Sequence, residues 1–170
     1  MPSRKLTDLA SEVRPLVVNF LALCREDPWF IKNKITVLVT CTFRSMAEQA
    51  ATFAQGRTVE QLAAAGLPDV APRPGKIVTW AVPGKSRHNK TDGRGLPASE
   101  AVDVVPARNG VAIWGVNGDG IDDIDADDMT DDLEVWERVG VHGEAAGLAW
   151  AGRWPKGKKE FPHFQKRSTS

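Results

Sequence analysis

Apolar residues recur at steps of three and four across residues 11–25, where Val13, Leu16, Phe20 and Leu23 share a face. That spacing predicts an amphipathic helix. Ser11 reads as its N-cap, and Pro15 falls in the first turn, where a missing N–H costs little. The run Ile35–Cys41 is short, rich in β-branched residues and bounded by polar ones, which predicts a buried strand. Helical spacing returns over 45–55, opened by Ser45 and Glu48 in capping-box spacing and stopped by Gly56. Thr58 and Gln61 repeat that box for a short helix over 58–65, closed by Gly66. Pro68, Pro72 and Pro74 make 67–75 a loop. Further strands are predicted at 77–82, 101–105 and about 161–165. A last helix is predicted over 131–146, ending at Gly147, with loops at 83–100 and 117–130.

Strands separated by helices and long loops, with few clean βαβ units, predict an α+β fold with a small, mainly antiparallel sheet flanked by helices. No repeat or linker divides the chain, so 1–170 reads as one domain. Lysine plus arginine and aspartate plus glutamate each total 22, so net charge is zero, which argues against a general nucleic-acid binder. Charge is segregated, acidic over 119–134 and basic over 153–167. Cys24 and Cys41 both lie in apolar patterns and read as buried thiols, although a bridge between them stays open at this stage. No stretch reads as a membrane span. The first residues carry both signs of charge without a signal-peptide apolar region, which makes cytoplasmic synthesis the expectation.

Candidate chemistry lies in a scattered set. His88 and His163 with Asp103 offer two imidazoles and a carboxylate, the three protein ligands of a catalytic zinc with its fourth position open to water. Glu160, three residues before His163, is placed to act as a base that does not bind the metal. Spacing alone leaves the commoner reading open, in which each histidine is a surface or core residue. His142 reads as a helix-end residue suited to the dipole there.

Five motifs follow one another in order: FRSMAEQ over 43–49, PGKIVTWAVPGKSRHN over 74–89, AVDVVP over 101–106, GLAWAGRW over 147–154 and EFPHFQ over 160–165. In this order they resemble the zinc D-alanyl-D-alanine carboxypeptidase family, in its branch of phage L-alanyl-D-glutamate endopeptidases. The resemblance runs from about residue 11 to 165. It implies that His88, Asp103 and His163 hold one zinc ion and that Glu160 is the general base. It also implies that Arg44 faces a substrate carbonyl or carboxylate, and that Ser86 lies near the substrate and the metal. One departure stands out: fourteen residues separate His88 from Asp103, a wider gap than the family's, with an apparent insertion over 91–99. Long surface insertions cost little closure entropy, so both ends can still reach one metal. Asp92 is a rival ligand, but Asp103 keeps the strand context.

Asp123, Asp125, Asp127, Asp131 and Glu134 fall at positions 1, 3, 5, 9 and 12 of a calcium-loop count. Asp128 stands where that loop needs glycine, so a solvated acidic turn is the favoured reading. Six tryptophans and no tyrosine are unusual for this length. Trp136 reads as core. Trp80, Trp114, Trp150 and Trp154, with Lys156, Lys158 and Lys159, suit the walls of a groove for an anionic peptide on a sugar chain, or else simple packing and solubility.

The resemblance therefore implies a monomeric peptidoglycan peptidase acting on stem peptides, most directly at the L-Ala–D-Glu bond. It further implies a phage endolysin held in the host cytoplasm until a membrane-permeabilising partner admits it to the wall. The alternatives are a D-alanyl-D-alanine carboxypeptidase and, in another class, a non-catalytic wall- or calcium-binding module. A pure binder has no use for Glu160.

Overall fold

In the computed structural model, residues 1–114 and 132–168 are described. The helices are α1 (Arg14–Glu26), α2 (Pro28–Lys32), α3 (Met46–Phe53), α4 (Val59–Ala64) and α5 (Asp132–Ala145). The strands are β1 (Ile35–Cys41), β2 (Ala101–Arg108), β3 (Val111–Ala112), β4 (Leu148–Trp150) and β5 (His163–Lys166). They form one antiparallel sheet in the order β1-β2-β5-β4, with β3 against β2. The fold is α+β, as the pattern predicts.

Side chains alternate across a strand, so Val102 and Val104 turn to one face of β2 and Asp103 to the other. Val102 and Val104 join Phe164 and Trp150 in the core, against Val17 and Phe20 of α1 and Val135, Trp136 and Val139 of α5. Helix α5 meets the sheet through glycines: ideal Cβ atoms on Gly140 and Gly143 would fall 2.2 Å from Trp150 and 2.3 Å from Phe164. Only bare backbone fits there, which locks β4 and β5 under the helix. A smaller cluster of Phe53, Ala54 and Leu62 seats α3 and α4.

Both capping boxes form, with Ser45 accepting from the Glu48 amide and Thr58 from the Gln61 amide. Gly56 and Gly66 take positive φ just past these helices, the backbone that ends a helix most cheaply. The predicted cap at Ser11 does not form. Helix α1 begins at Arg14, because the Val13 amide is already used in a turn to the Ala10 carbonyl at 2.9 Å, and the Ser11 hydroxyl donates to Glu12. Helix α2 is not among the predicted elements; the Asp27 carboxylate caps it, accepting from the amides of Trp29 at 2.7 Å and Phe30 at 3.1 Å, with Pro28 in its first turn.

The predicted strand at 77–82 is a correction. This segment is extended but joins no ladder. Side chains take its carbonyls instead: Arg57 donates to Thr79 at 2.8 Å and Gln49 to Ala81 at 2.7 Å. It forms a strap across the mouth of the sheet. Strands β3 and β4 are too short for periodicity to reveal. Four acidic positions of the calcium count, Asp123, Asp125, Asp127 and Asp131, lie outside the described residues. Glu134 ion-pairs with Arg138 one helical turn on.

Candidate functional site

One rung of the sheet brings the site together. Cys41 on β1 is paired with Asp103 on β2, and Asp103 with His163 on β5. His88 arrives from a single 3-10 turn, residues Arg87–Asn89, capped by the Ser86 hydroxyl, which accepts from the His88 amide at 3.2 Å. The inward atoms are His88 Nε2, His163 Nδ1 and Asp103 Oδ1. Each imidazole nitrogen lies 3.0 Å from the carboxylate oxygen, and the two nitrogens lie 3.2 Å apart.

The outer edge of each ring fixes what the inner edge presents. His88 Nδ1 donates to the Thr42 carbonyl at 2.7 Å, and His163 Nε2 donates to Gln165 Oε1 at 3.1 Å. In neutral rings both inward nitrogens then carry lone pairs. Three lone-pair donors facing one another at this distance repel unless a cation lies among them. Burial alone lowers the His163 pKa, but the Asp103 hydrogen bond and charge outweigh it and raise it. Burial alone raises the Asp103 pKa, yet the charges and hydrogen bonds of His88 and His163 hold it well below the usual carboxylate range.

The donor set fits a single tetrahedral ion. Ligands about 2.0–2.1 Å from such an ion stand about 3.3 Å apart, close to the triangle present here. Cys41 also lies near, its sulfur 3.7 Å from His88 Nδ1. It sits behind the ring, on the edge that bonds Thr42, and burial, then the Asp103 charge, push its thiol up to about 12. A protonated thiol on that side packs against the centre, so His163 is the better third ligand. Cys24 and Cys41 are both free and buried.

Outside the triangle, Arg44 donates to Asp103 Oδ2 at 3.0 Å and to Gln49 Oε1 at 2.9 Å. The Arg44 Nε–H is buried and without a partner, so one donor stays unused at the floor of the cleft. Gln49, fully buried, links Arg44 to the strap through Ala81. Glu160 lies across the cleft, and burial raises its carboxyl pKa, against the lowering effects of the His163 charge and of a hydrogen bond from the Trp80 amide.

The predicted set thus gathers around one cleft: Arg44, Ser86, His88, Asp103, Glu160 and His163 all line a cavity of about 360 Å³. Ser86 acts on the turn that carries His88. Asp92 is a hairpin residue, its carboxylate accepting from the amides of Arg94 and Leu96. The insertion folds back on itself, with Thr91 bridged to Pro97, and leaves the ligand spacing intact. His142 is no ligand, since its Nε2 meets Asp27 Oδ2 at 2.6 Å and ties α5 to the start of α2. Trp136 and Trp150 are core, whereas Trp80, Trp114, Trp154 and Lys159 reach the cleft. Gln49, Thr42 and Gln165 were missed as supporting residues. Only Gln165 had a signal, two residues beyond His163 on the same strand face.

Two histidines and one carboxylate around one point, with a second carboxylate beside them, form a donor set that suits a single metal ion. No family model matches the chain. Among curated proteins, the peptidoglycan L-alanyl-D-glutamate endopeptidase CwlK of Bacillus subtilis is 32% identical over 131 residues, covering 77% of this chain and 60% of that protein. The chain therefore spans about 60% of that relative's length. Two solved structures align with this chain at a TM-score of 0.49. The L-Ala D-Glu endopeptidase ChiX of Serratia marcescens is 18% identical, over 98% of this chain and 89% of that one. A variant of the vancomycin-resistance D,D-pentapeptidase VanY, from a VanB-type cassette and in complex with Zn(II), is 16% identical, over 93% and 72%. In sequence, the chain is similar to a peptidoglycan L-alanyl-D-glutamate endopeptidase.

Proposed function

We propose that this chain is a zinc-dependent peptidoglycan peptidase that cleaves stem peptides at the L-Ala–D-Glu bond. The observation that carries the reading is the convergence of His88, Asp103 and His163 lone pairs beside a buried carboxylate that binds none of them. The relationship to an L-alanyl-D-glutamate endopeptidase supports the substrate class. Zinc held there supplies a Lewis acid for the scissile carbonyl and lowers the pKa of a water toward about 7.

The chain's own residues do the rest. Glu160 takes the proton of the attacking water and hands it to the departing amine. Its raised pKa brings it nearer the neutral range, where one group can do both. The Arg44 ion pair to Oδ2 turns Asp103 so that Oδ1 faces the histidines.

Lys85, on the cleft wall, favours a second reading, in which a terminal D-Ala carboxylate is held and the enzyme is a D,D-carboxypeptidase. Mass spectrometry of a purified cell-wall digest separates the two. New amino-terminal D-Glu supports the endopeptidase, free D-Ala the carboxypeptidase, and no new terminus in the presence of zinc refutes both. The motif resemblance supports the further proposal of a phage endolysin that waits in the host cytoplasm for a membrane-permeabilising partner. Expression with and without such a partner, read as culture lysis, tests it.

A further inference from the structure

The cleft has two unlike halves. The cavity of about 360 Å³ carries Lys85, Arg87 and Trp154, a second cavity of about 440 Å³ carries Ile77, Trp114 and Pro162, and Trp80 lines both. Both are lined by Asp103, Glu160 and His163, so they meet at the reacting centre and together form one trough across it. Trp80 and Trp114, 48% and 64% exposed, are the most exposed aromatic side chains among the described residues; Trp114 lines the second half, and Trp80 stands where the halves meet. Large exposed indoles on one groove mark a binding surface.

We propose that the Trp80–Trp114 half is the subsite for the sugar-bearing, amino-terminal side of the substrate, and that the Lys85 half receives the acidic, carboxyl-terminal side. The inference rests on the peptidase reading above and adds direction to it. A stem peptide is asymmetric about its L-Ala–D-Glu bond. One side is a neutral lactyl amide on a sugar ring, and the other carries a free α-carboxylate beside the scissile nitrogen. Indole faces suit the apolar face of a pyranose, and the Lys159 ammonium at that groove's edge suits its hydroxyl and N-acetyl oxygens. In the other half, Arg87 is already ion-paired with Glu100. Lys85 has no ion-pair partner among the described residues, so it is the cation available to a carboxylate.

The strap explains why the halves stay distinct. Arg57, buried, donates to the Phe53 and Thr79 carbonyls and stacks on the Phe53 ring, while Gln49 holds Ala81. Trp80 is thereby fixed between the halves, with its amide on Glu160.

Two substrate pairs test the direction with zinc-loaded protein. The first compares stem peptide on its muramyl sugar with the same peptide N-acetylated and sugar-free. The second compares D-Glu with its α-amide, D-isoglutamine. Trp114→Ala is expected to lower the sugar preference in kcat/KM roughly tenfold and to leave the carboxylate preference in place. Lys85→Ala is expected to do the reverse. Trp80→Ala, with its backbone contact retained, should move the same ratio as Trp114→Ala. Unmoved ratios, or the two effects exchanged, overturn the assignment while the peptidase reading stands. Loss of all cleavage by the unmodified chain overturns that reading, and the assignment with it.

Discussion

A methyl group at Gly143 should damage both the fold and the metal centre. Its Cβ would lie 2.3 Å from Phe164 Cε1 and 2.5 Å from Cδ1, where ordinary contact begins near 3.4 Å. The ring cannot swing aside. Phe164 is fully buried, with Phe20 at 4.7 Å between centroids and Trp150 stacked at 6.1 Å. Helix α5 and strand β5 must therefore separate by about 1 Å, an overpacking strain of about 1–3 kcal/mol. Alanine returns up to about 1 kcal/mol of helix propensity, which leaves a net loss of up to about 2 kcal/mol. For a chain of this length that lowers Tm by up to about 8 °C. The strain acts one residue from His163, and metal sites tolerate only about 0.2 Å. Zinc affinity should fall with stability, by tenfold or more. Urea unfolding of metal-free protein and competitive zinc titration measure the two effects, with Gly93→Ala as control because nothing lies within 4 Å of its Cβ position. A Gly143→Ala variant with wild-type midpoint and affinity refutes the packing that ties α5 to the site.

Four further outcomes follow from named groups. Glu160→Gln should lower kcat by about 10²–10⁴-fold with zinc content and fold unchanged, measured by wall hydrolysis and metal analysis; retained activity removes Glu160 as the base. Asp27 is depressed below its usual pKa: burial opposes this, but the His142 bond and the Trp29 and Phe30 amides prevail. Its stabilisation is present above the ordinary carboxylate range and lost as pH falls through the lowered folded value. Asp27→Asn should cost about 1 kcal/mol at pH 7 and flatten the acid limb of a stability profile; parallel limbs would contradict the coupling. Both thiols are buried and pushed up to about 12, so a thiol reagent should label neither Cys24 nor Cys41 in native protein and both in denaturant. Free zinc at 100 times its Kd should add about 2.7 kcal/mol to unfolding, seen as a Tm rise that chelation reverses.

The sequence was readable where local chemistry decides. Two capping boxes, the β-branched run of β1 and the glycine stops each act over a few residues, and each formed. The candidate site residues were readable because the chemistry of a hydrolytic metal limits the residue types that can serve, and the structure gathers them around one cleft. Their order within motifs resembled a known family. Long-range bonding stayed hidden. Residues 77–82 have strand composition, yet Arg57 and Gln49, distant in sequence, take their carbonyls and leave them outside the sheet. Arg44 was read as a substrate contact, but nothing local announces that Gln49 and Asp103 occupy its terminal nitrogens. The wide His88–Asp103 gap looked like a threat to the site. A bridged hairpin absorbs it, with Asp92 capping its turn.

Zinc titration into metal-free protein, alongside His163→Ala and Cys41→Ser, tests the metal centre most directly. One equivalent should bind wild type and Cys41→Ser with similar affinity. His163→Ala should lose at least a hundredfold in affinity. Retained binding by His163→Ala with loss in Cys41→Ser would place the metal on the thiol side of His88 and contradict the account.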